Sequence, residues 1–197
     1  MRAIRNAVIP SRSSTVLILG AGPIGLAVLL CLRARGHNTV IISEPSAGRR
    51  KLATEMGAKH VLDPINQDVL ARCVELTPDS GGVDVVFDCA GVQAAWDVGM
   101  KAVKAKGTIV CVAVWEQKCQ VDINWLLFKE RRMVGSAAPE HIDFLEVFEA
   151  LQSGLLKPDG LVTKTVGLDN VEHGGFKSLI EDKATHAKIL VEVAGGE

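Results

Sequence analysis

The sequence predicts an α/β protein built on a doubly wound parallel sheet with helices on both faces. Three observations carry that reading. Short β-branched runs alternate with longer Ala/Leu-rich or amphipathic runs from Thr15 to Ser153. Gly20-Ala21-Gly22-Pro23-Ile24-Gly25 falls where the first apolar run hands over to the first helical one. Glu44 then follows nineteen residues after the last of those glycines, at the end of the second apolar run.

The elements follow in order. Thr15 to Leu19 (TVLIL) is apolar and β-branched, as a strand buried on both faces must be. Ile24 to Arg35 is long and free of breakers, which predicts a helix. Thr39 to Ser43 (TVIIS) is the second strand, and a helix from about Ala47 to Met56 is closed by Gly57. His60 to Leu62 is a short third strand stopped by Asp63-Pro64. Asp68 to Leu76 is helical and ends before Pro78. Val83 to Asp88 (VDVVFD) is the fourth strand, Gln93 to Ala105 a helix, and Thr108 to Val114 (TIVCVAV) the fifth strand. A helical turn at Leu126 to Lys129 precedes a sixth strand, Arg132 to Ser136. In His141 to Ser153, Ile142, Leu145, Phe148 and Leu151 recur at helical spacing, and Gly154 ends the run. The tail changes rhythm. Leu161 to Val166 and Lys188 to Val193 alternate as two-faced, antiparallel strands would, on either side of a helix from Asn170 to Glu181.

The glycine turn has a chemical reading. Between a strand and a helix, Gly20 permits the tight turn, Gly22 lets backbone approach a pyrophosphate, and Gly25 lets helix and strand pack closely. Pro23 and Ile24 open the helix, whose N-terminal N–H groups and dipole favour phosphate. A carboxylate at Glu44 can accept the hydroxyls of an adenosine ribose and repels a 2′-phosphate, which favours NAD over NADP. Arg49 and Arg50 argue the other way, since a guanidinium could hold that phosphate. Solvated arginines on the next helix are the alternative, and Glu44 favours it.

Composition excludes other classes. The 197 residues suffice for one good core and a small appendage; 48% are hydrophobic and 23% charged. Net charge is −1, so nucleic-acid binding has no electrostatic footprint. Val16 to Leu32 carries no charge, but Gly-Ala-Gly-Pro interrupts it and Arg33 and Arg35 follow directly; it is read as strand–turn–helix, not a membrane anchor. A cytoplasmic protein is expected. The five cysteines, Cys31, Cys73, Cys89, Cys111 and Cys119, show no CxxC or zinc spacing and read as buried, reduced thiols. The chain has no tyrosine, so a Tyr-x-x-x-Lys reductase is excluded, and GxSxG and P-loop motifs are absent. The five histidines show no metal spacing. Asp88 is expected to bond local turn N–H groups, and Trp115 and Trp125 to be core or interface.

The stretches TVLILGAGPIGLAVL, IISEPSAGRRKLATEMGAKHVLDP and VDVVFDCAG, in that order, resemble the cofactor domain of the medium-chain, zinc-type alcohol and polyol dehydrogenases. VDINWLLFKERRMVGS resembles that family's approach to its sixth strand, and the ending from Leu161 resembles the return to its other domain. Butanediol and sorbitol-type members look closest. The resemblance implies a connecting segment over 1–14, a dinucleotide-binding Rossmann domain over 15–155, and over 156–197 a C-terminal remnant of the GroES-like catalytic domain. That domain comes first in the family and supplies the zinc ligands, none of which this sequence matches. The chain is then a cofactor half or a truncated reading frame, with tail strands that must find partners by dimerisation, swapping or local disorder.

The resemblance also implies site residues. Gly20, Gly22, Pro23, Ile24 and Gly25 cradle the pyrophosphate, Glu44 binds the adenosine ribose, and Arg49 lies near the adenine. Cys89, Ala90 and Gly91 line the cleft after the fourth strand. Val112, Ala113 and Val114 approach the nicotinamide, and Ser136 to Ala138, with Ala137 central, close its side. No catalytic residue and no metal ligand is assigned to this chain, and a packing role for the later residues stays open. Two functions remain. One is the NAD-binding portion of a dehydrogenase acting on a small secondary alcohol or diol, inactive alone. The other is a non-catalytic dinucleotide-binding or oligomerisation module. A homo-oligomer paired through the sixth-strand edge is expected, with no nucleic-acid or membrane partner.

Overall fold

The computed structural model describes residues 1–182 and 184–193. Six parallel strands form one sheet in the order β3-β2-β1-β4-β5-β6: β1 Val16–Leu19, β2 Val40–Ser43, β3 His60–Leu62, β4 Val83–Asp88, β5 Val103–Cys111 and β6 Arg132–Gly135. The helices are α1 Arg2–Ala7, α2 Pro23–Ala34, α3 Ala47–Glu55, α4 Val69–Glu75, α5 Gln93–Ala102, α6 Ile123–Leu127 and α7 His141–Gln152.

The alternation of side chains along each strand divides the core in two. Ile18, Ile42, Phe87 and Val110 meet Leu26 and Leu29 of α2 on one face. Leu17, Leu19, Ile41, Val86 and Ile109 meet Trp96 and Met100 of α5, and Val69 and Cys73 of α4, on the other. Every residue of β1 and β2 is therefore buried, as their unbroken apolar runs predict. Strand order reverses between β1 and β4, which opens a crevice at their carboxyl ends.

Local chemistry fixes the helix starts. Asp68 accepts the Ala71 N–H at 2.9 Å ahead of α4, and Asp143 accepts the Glu140 N–H at 2.7 Å at the start of α7. Asp143 is buried and also pairs with Arg5, which ties α7 to α1.

Two expectations need correction. The helix predicted to reach Ala105 ends at Ala102, because Val103 turns extended and pairs with Val83 at the start of β5. Residues 104–107 then slip out of register before Thr108 pairs with Val85, so β5 begins earlier than its apolar run and ends at Cys111. The tail strands are not antiparallel. β7 Val162–Gly167 and β8 Lys188–Glu192 pair in parallel with each other, joined by a crossover of helical turns over 168–181 that ends in α8 Ser178–Glu181. Parallel strands require such a crossover. Within this unit each tail strand has found a partner in its own chain. Gly48 of α3 is the seat of the approach to β8: a Cβ there would run into the Ala184 carbonyl.

Candidate functional site: a dinucleotide cleft

The glycine turn has the geometry its spacing predicts. Gly20 has φ +92°, a conformation that a side chain would strain, and its N–H donates to the Ser43 carbonyl at 2.8 Å. A Cβ on Gly25 would strike the Gly20 carbonyl oxygen and lie 3.4 Å from Ile18 Cγ2, so α2 sits against β1 only because this residue has none. At Gly22 the nearest atom to an added Cβ is Arg49 Nη1 at 3.9 Å, which leaves open space over the N-terminus of α2. Gly22 offers no side-chain cap, and Pro23 opens the helix. The first-turn N–H groups therefore face that space without intrahelical acceptors.

Glu44 lies beside the turn and is only 4% exposed. Its Oε2 accepts the Ala21 N–H at 2.7 Å, and its Oε1 accepts the Ser46 N–H at 2.9 Å. Arg50 is not free to meet a ligand at this point. Its Nη1 donates to the Glu44 and Pro45 carbonyls, and its Nη2 pairs with Asp63 at 2.9 Å. Hydrogen bonds from Asn66 and Ile65, with the Arg50 charge, hold the Asp63 carboxyl below its ordinary range. Arg49 is the arginine placed over the glycine turn.

The carboxyl ends of β4 and β5 are knitted together by Asp88, which is wholly buried. Its Oδ1 accepts the Ala90 and Gly91 N–H groups at 3.1 and 3.0 Å, the local turn bonds expected of it. Its Oδ2 accepts the Trp115 indole N–H at 2.9 Å, and its carbonyl accepts the Val112 and Ala113 N–H groups. Gly91, at φ +65°, lets the two loops touch: a Cβ there would lie 3.1 Å from Ala113 Cβ. Ser136 N–H donates to the Cys111 carbonyl at 2.9 Å and extends the rim to β6.

The expected site residues fall in three places. Ile24, Val112, Ser136 and Ala137 line a cavity of about 310 Å³ between α1, α2 and α7. Ala90, Gly91 and Val114 line a second cavity, of about 400 Å³, on the other side of the rim, with Trp115 beside them. Gly20, Gly22, Pro23, Gly25, Glu44 and Arg49 form the turn between the strand ends. Cys89 packs instead against the core under α2. Burial, reinforced by the Asp88 charge, pushes its thiol up, and the same causes raise Cys111 to about 11. Burial likewise raises Cys73 to about 12. These thiols are not nucleophiles at neutral pH.

Trp115, expected to be core or interface, is the residue whose place beside Asp88 sequence reasoning missed. It meets Trp96 edge-on, with centroids 6.1 Å apart, while its N–H serves Asp88. Its one sequence signal is its place directly after Val114.

Among the described residues, no group of three or more His, Cys, Asp or Glu side chains could hold a metal ion. No helix among them is long and apolar enough to cross a membrane.

Comparison with known proteins agrees with this fold. Residues 23–153 match the family described as zinc-binding dehydrogenase. The (R,R)-butanediol dehydrogenase of Bacillus subtilis is 35% identical over 174 residues, which are 88% of this chain and 49% of that protein. The crystal structure of 2R,3R-butanediol dehydrogenase from Bacillus subtilis superposes with a TM-score of 0.89 at 32% identity, over 98% of this chain and 54% of that one. A Sinorhizobium meliloti protein described as a zinc-binding dehydrogenase, solved bound to NADP, gives 0.83 at 30% identity over 98% of this chain and 56% of that one. The chain spans about half the length of these relatives.

Proposed function

Because the chain belongs to the zinc-binding dehydrogenase family, we propose that it is the NAD(H)-holding portion of an enzyme that oxidises a small secondary alcohol or diol. The observation that carries this reading is the space over Gly22, where a Cβ would stand but for the glycine, at the open N-terminus of α2. The first-turn amides that open onto this space are the groups that would hold a pyrophosphate.

When bound, the nicotinamide supplies the hydride acceptor. The chain's own residues do the holding. Gly22 to Gly25 take the pyrophosphate, and Arg49 flanks it on the adenosine side. The ribose hydroxyls reach the remaining lone pairs of Glu44. Ile24, Val112, Ser136 and Ala137 form an apolar wall for the nicotinamide, and Ala90, Gly91 and Val114 form the opposite side. Glu44 disfavours a 2′-phosphate, so NAD is preferred although a relative binds NADP. No group of His, Cys, Asp or Glu side chains among the described residues fits the family's zinc. Residues 156–197 are assigned to a second, GroES-like unit and 1–14 to a connecting segment. The β6 edge, where Met133 is exposed, is proposed to pair with a second copy in a cytoplasmic homo-oligomer.

The test is titration of the 197-residue chain with NADH and NADPH, read by energy transfer from tryptophan. Tighter binding of NADH, lost in Glu44→Ala, is the expected result; equal binding of both cofactors overturns the NAD assignment. The second reading is a dinucleotide-binding or oligomerisation module without catalysis. Zinc-dependent alcohol oxidation by the purified chain would exclude it.

A further inference from the structure

We propose that Glu44 is a positioning residue for the phosphate-binding turn, a role separate from any contact with the ribose. The inference rests on the dinucleotide reading above. Ala21 is fully buried between the first two glycines of the turn, so its N–H must find an acceptor inside the protein. The acceptor is a carboxylate 23 positions away in sequence, at 2.7 Å. A charge-assisted bond of this length is stronger than a neutral one.

The carboxylate is itself held from several sides. Oε1 takes the Ser46 N–H at 2.9 Å, the Glu44 N–H donates to the Leu62 carbonyl at 3.0 Å, and Arg50 grips the Glu44 carbonyl at 2.9 Å. Ser43 fixes the neighbouring amide, since its carbonyl accepts the Gly20 N–H at 2.8 Å. The peptide planes on both sides of Gly20 are thus set before any ligand arrives. Their orientation decides where the amides at Gly22 and the start of α2 point. Glu44 cannot turn toward a ribose without stranding the Ala21 N–H, so the ligand must come to a carboxylate already in use. Removing that carboxylate leaves the turn to be ordered at the moment of binding, which costs affinity for the phosphates themselves.

The two roles separate by the choice of ligand. Wild type and Glu44→Ala are titrated calorimetrically with ADP and with 2′,3′-dideoxy-ADP, which has no ribose hydroxyl for Glu44 to accept. The alanine removes both acceptor oxygens, so the Ala21 and Ser46 N–H groups lose their side-chain partner. Positioning predicts that the variant binds the dideoxy ligand about tenfold more weakly than wild type does. It also predicts that the Ala21 amide resonance moves upfield in the variant without ligand, while distant amides stay in place. Equal affinity of variant and wild type for dideoxy-ADP overturns the proposal, as does an unmoved Ala21 amide. If wild type binds neither nucleotide, the dinucleotide reading has failed first, and the positioning role falls with it.

Discussion

Asp88 Oδ2 accepts the indole N–H of Trp115 across 2.9 Å, and that bond joins two loops that leave neighbouring strands. The same carboxylate holds the Ala90 and Gly91 amides through its other oxygen. One buried side chain therefore sets the relative position of the β4 and β5 exits.

Replacing Asp88 by Asn keeps the shape and removes one acceptor. Whichever way the amide turns, its NH2 group faces a donor, either the indole or the turn amides. The expected cost is about 1–3 kcal/mol of stability, the penalty for a buried donor left unpaired. Denaturant unfolding measures it, and a red shift of tryptophan emission in the native variant reports release of the Trp115 indole to water. A variant as stable as wild type with unchanged emission would show that the bond holds nothing in place.

The three turn glycines respond differently to alanine. Gly25→Ala forces a Cβ into the Gly20 carbonyl and separates α2 from β1, so a loss of roughly 1–3 kcal/mol is expected. Gly22→Ala places its Cβ in the open space, 3.9 Å from Arg49 Nη1, and should fold with nearly the wild-type melting temperature. It should nevertheless lose NADH binding, because the methyl takes the phosphate's place. Melting scans paired with NADH titration of both variants separate the two roles.

His37 gives the fold a pH dependence of known sign. Burial lowers its pKa, and the Arg35 and Arg12 charges add to the effect. Arg33 and Lys59 line the same small cavity, and the buried Nδ1 has no hydrogen-bond partner among the described residues. The unfolded chain therefore takes up the proton more readily than the folded one. Stability is full above the ordinary histidine pKa of about 6.5 and falls as pH drops below it. His37→Gln should flatten the melting temperature between pH 7.5 and 5.5 relative to wild type, and an unchanged slope would assign the acid sensitivity elsewhere.

How much of this was legible follows from the range of each interaction. Strands β1, β2 and β4 are two-faced apolar runs, and local sequence suffices to place them. The glycine turn and Glu44 are legible because a fixed spacing encodes them. The end of α5 was not, since Ala102 to Lys106 contains no breaker and only pairing with Val83 pulls Val103 into the sheet. Strand direction in the tail was hidden for the same reason: alternation reports faces, and only the crossover reports direction. The Asp88–Trp115 bond spans 27 positions and follows no motif. The second service of Glu44, to the Ala21 amide, was likewise invisible, because spacing names the carboxylate without saying which groups already use it.

Gly48 has a wider effect than its size suggests. The bare backbone of α3 at this point is a bearing surface on which the Ala184 carbonyl rests, one residue from Arg49. Any side chain at Gly48 would act as a wedge and push the Ala184 backbone off α3, next to the residue that overhangs the glycine turn.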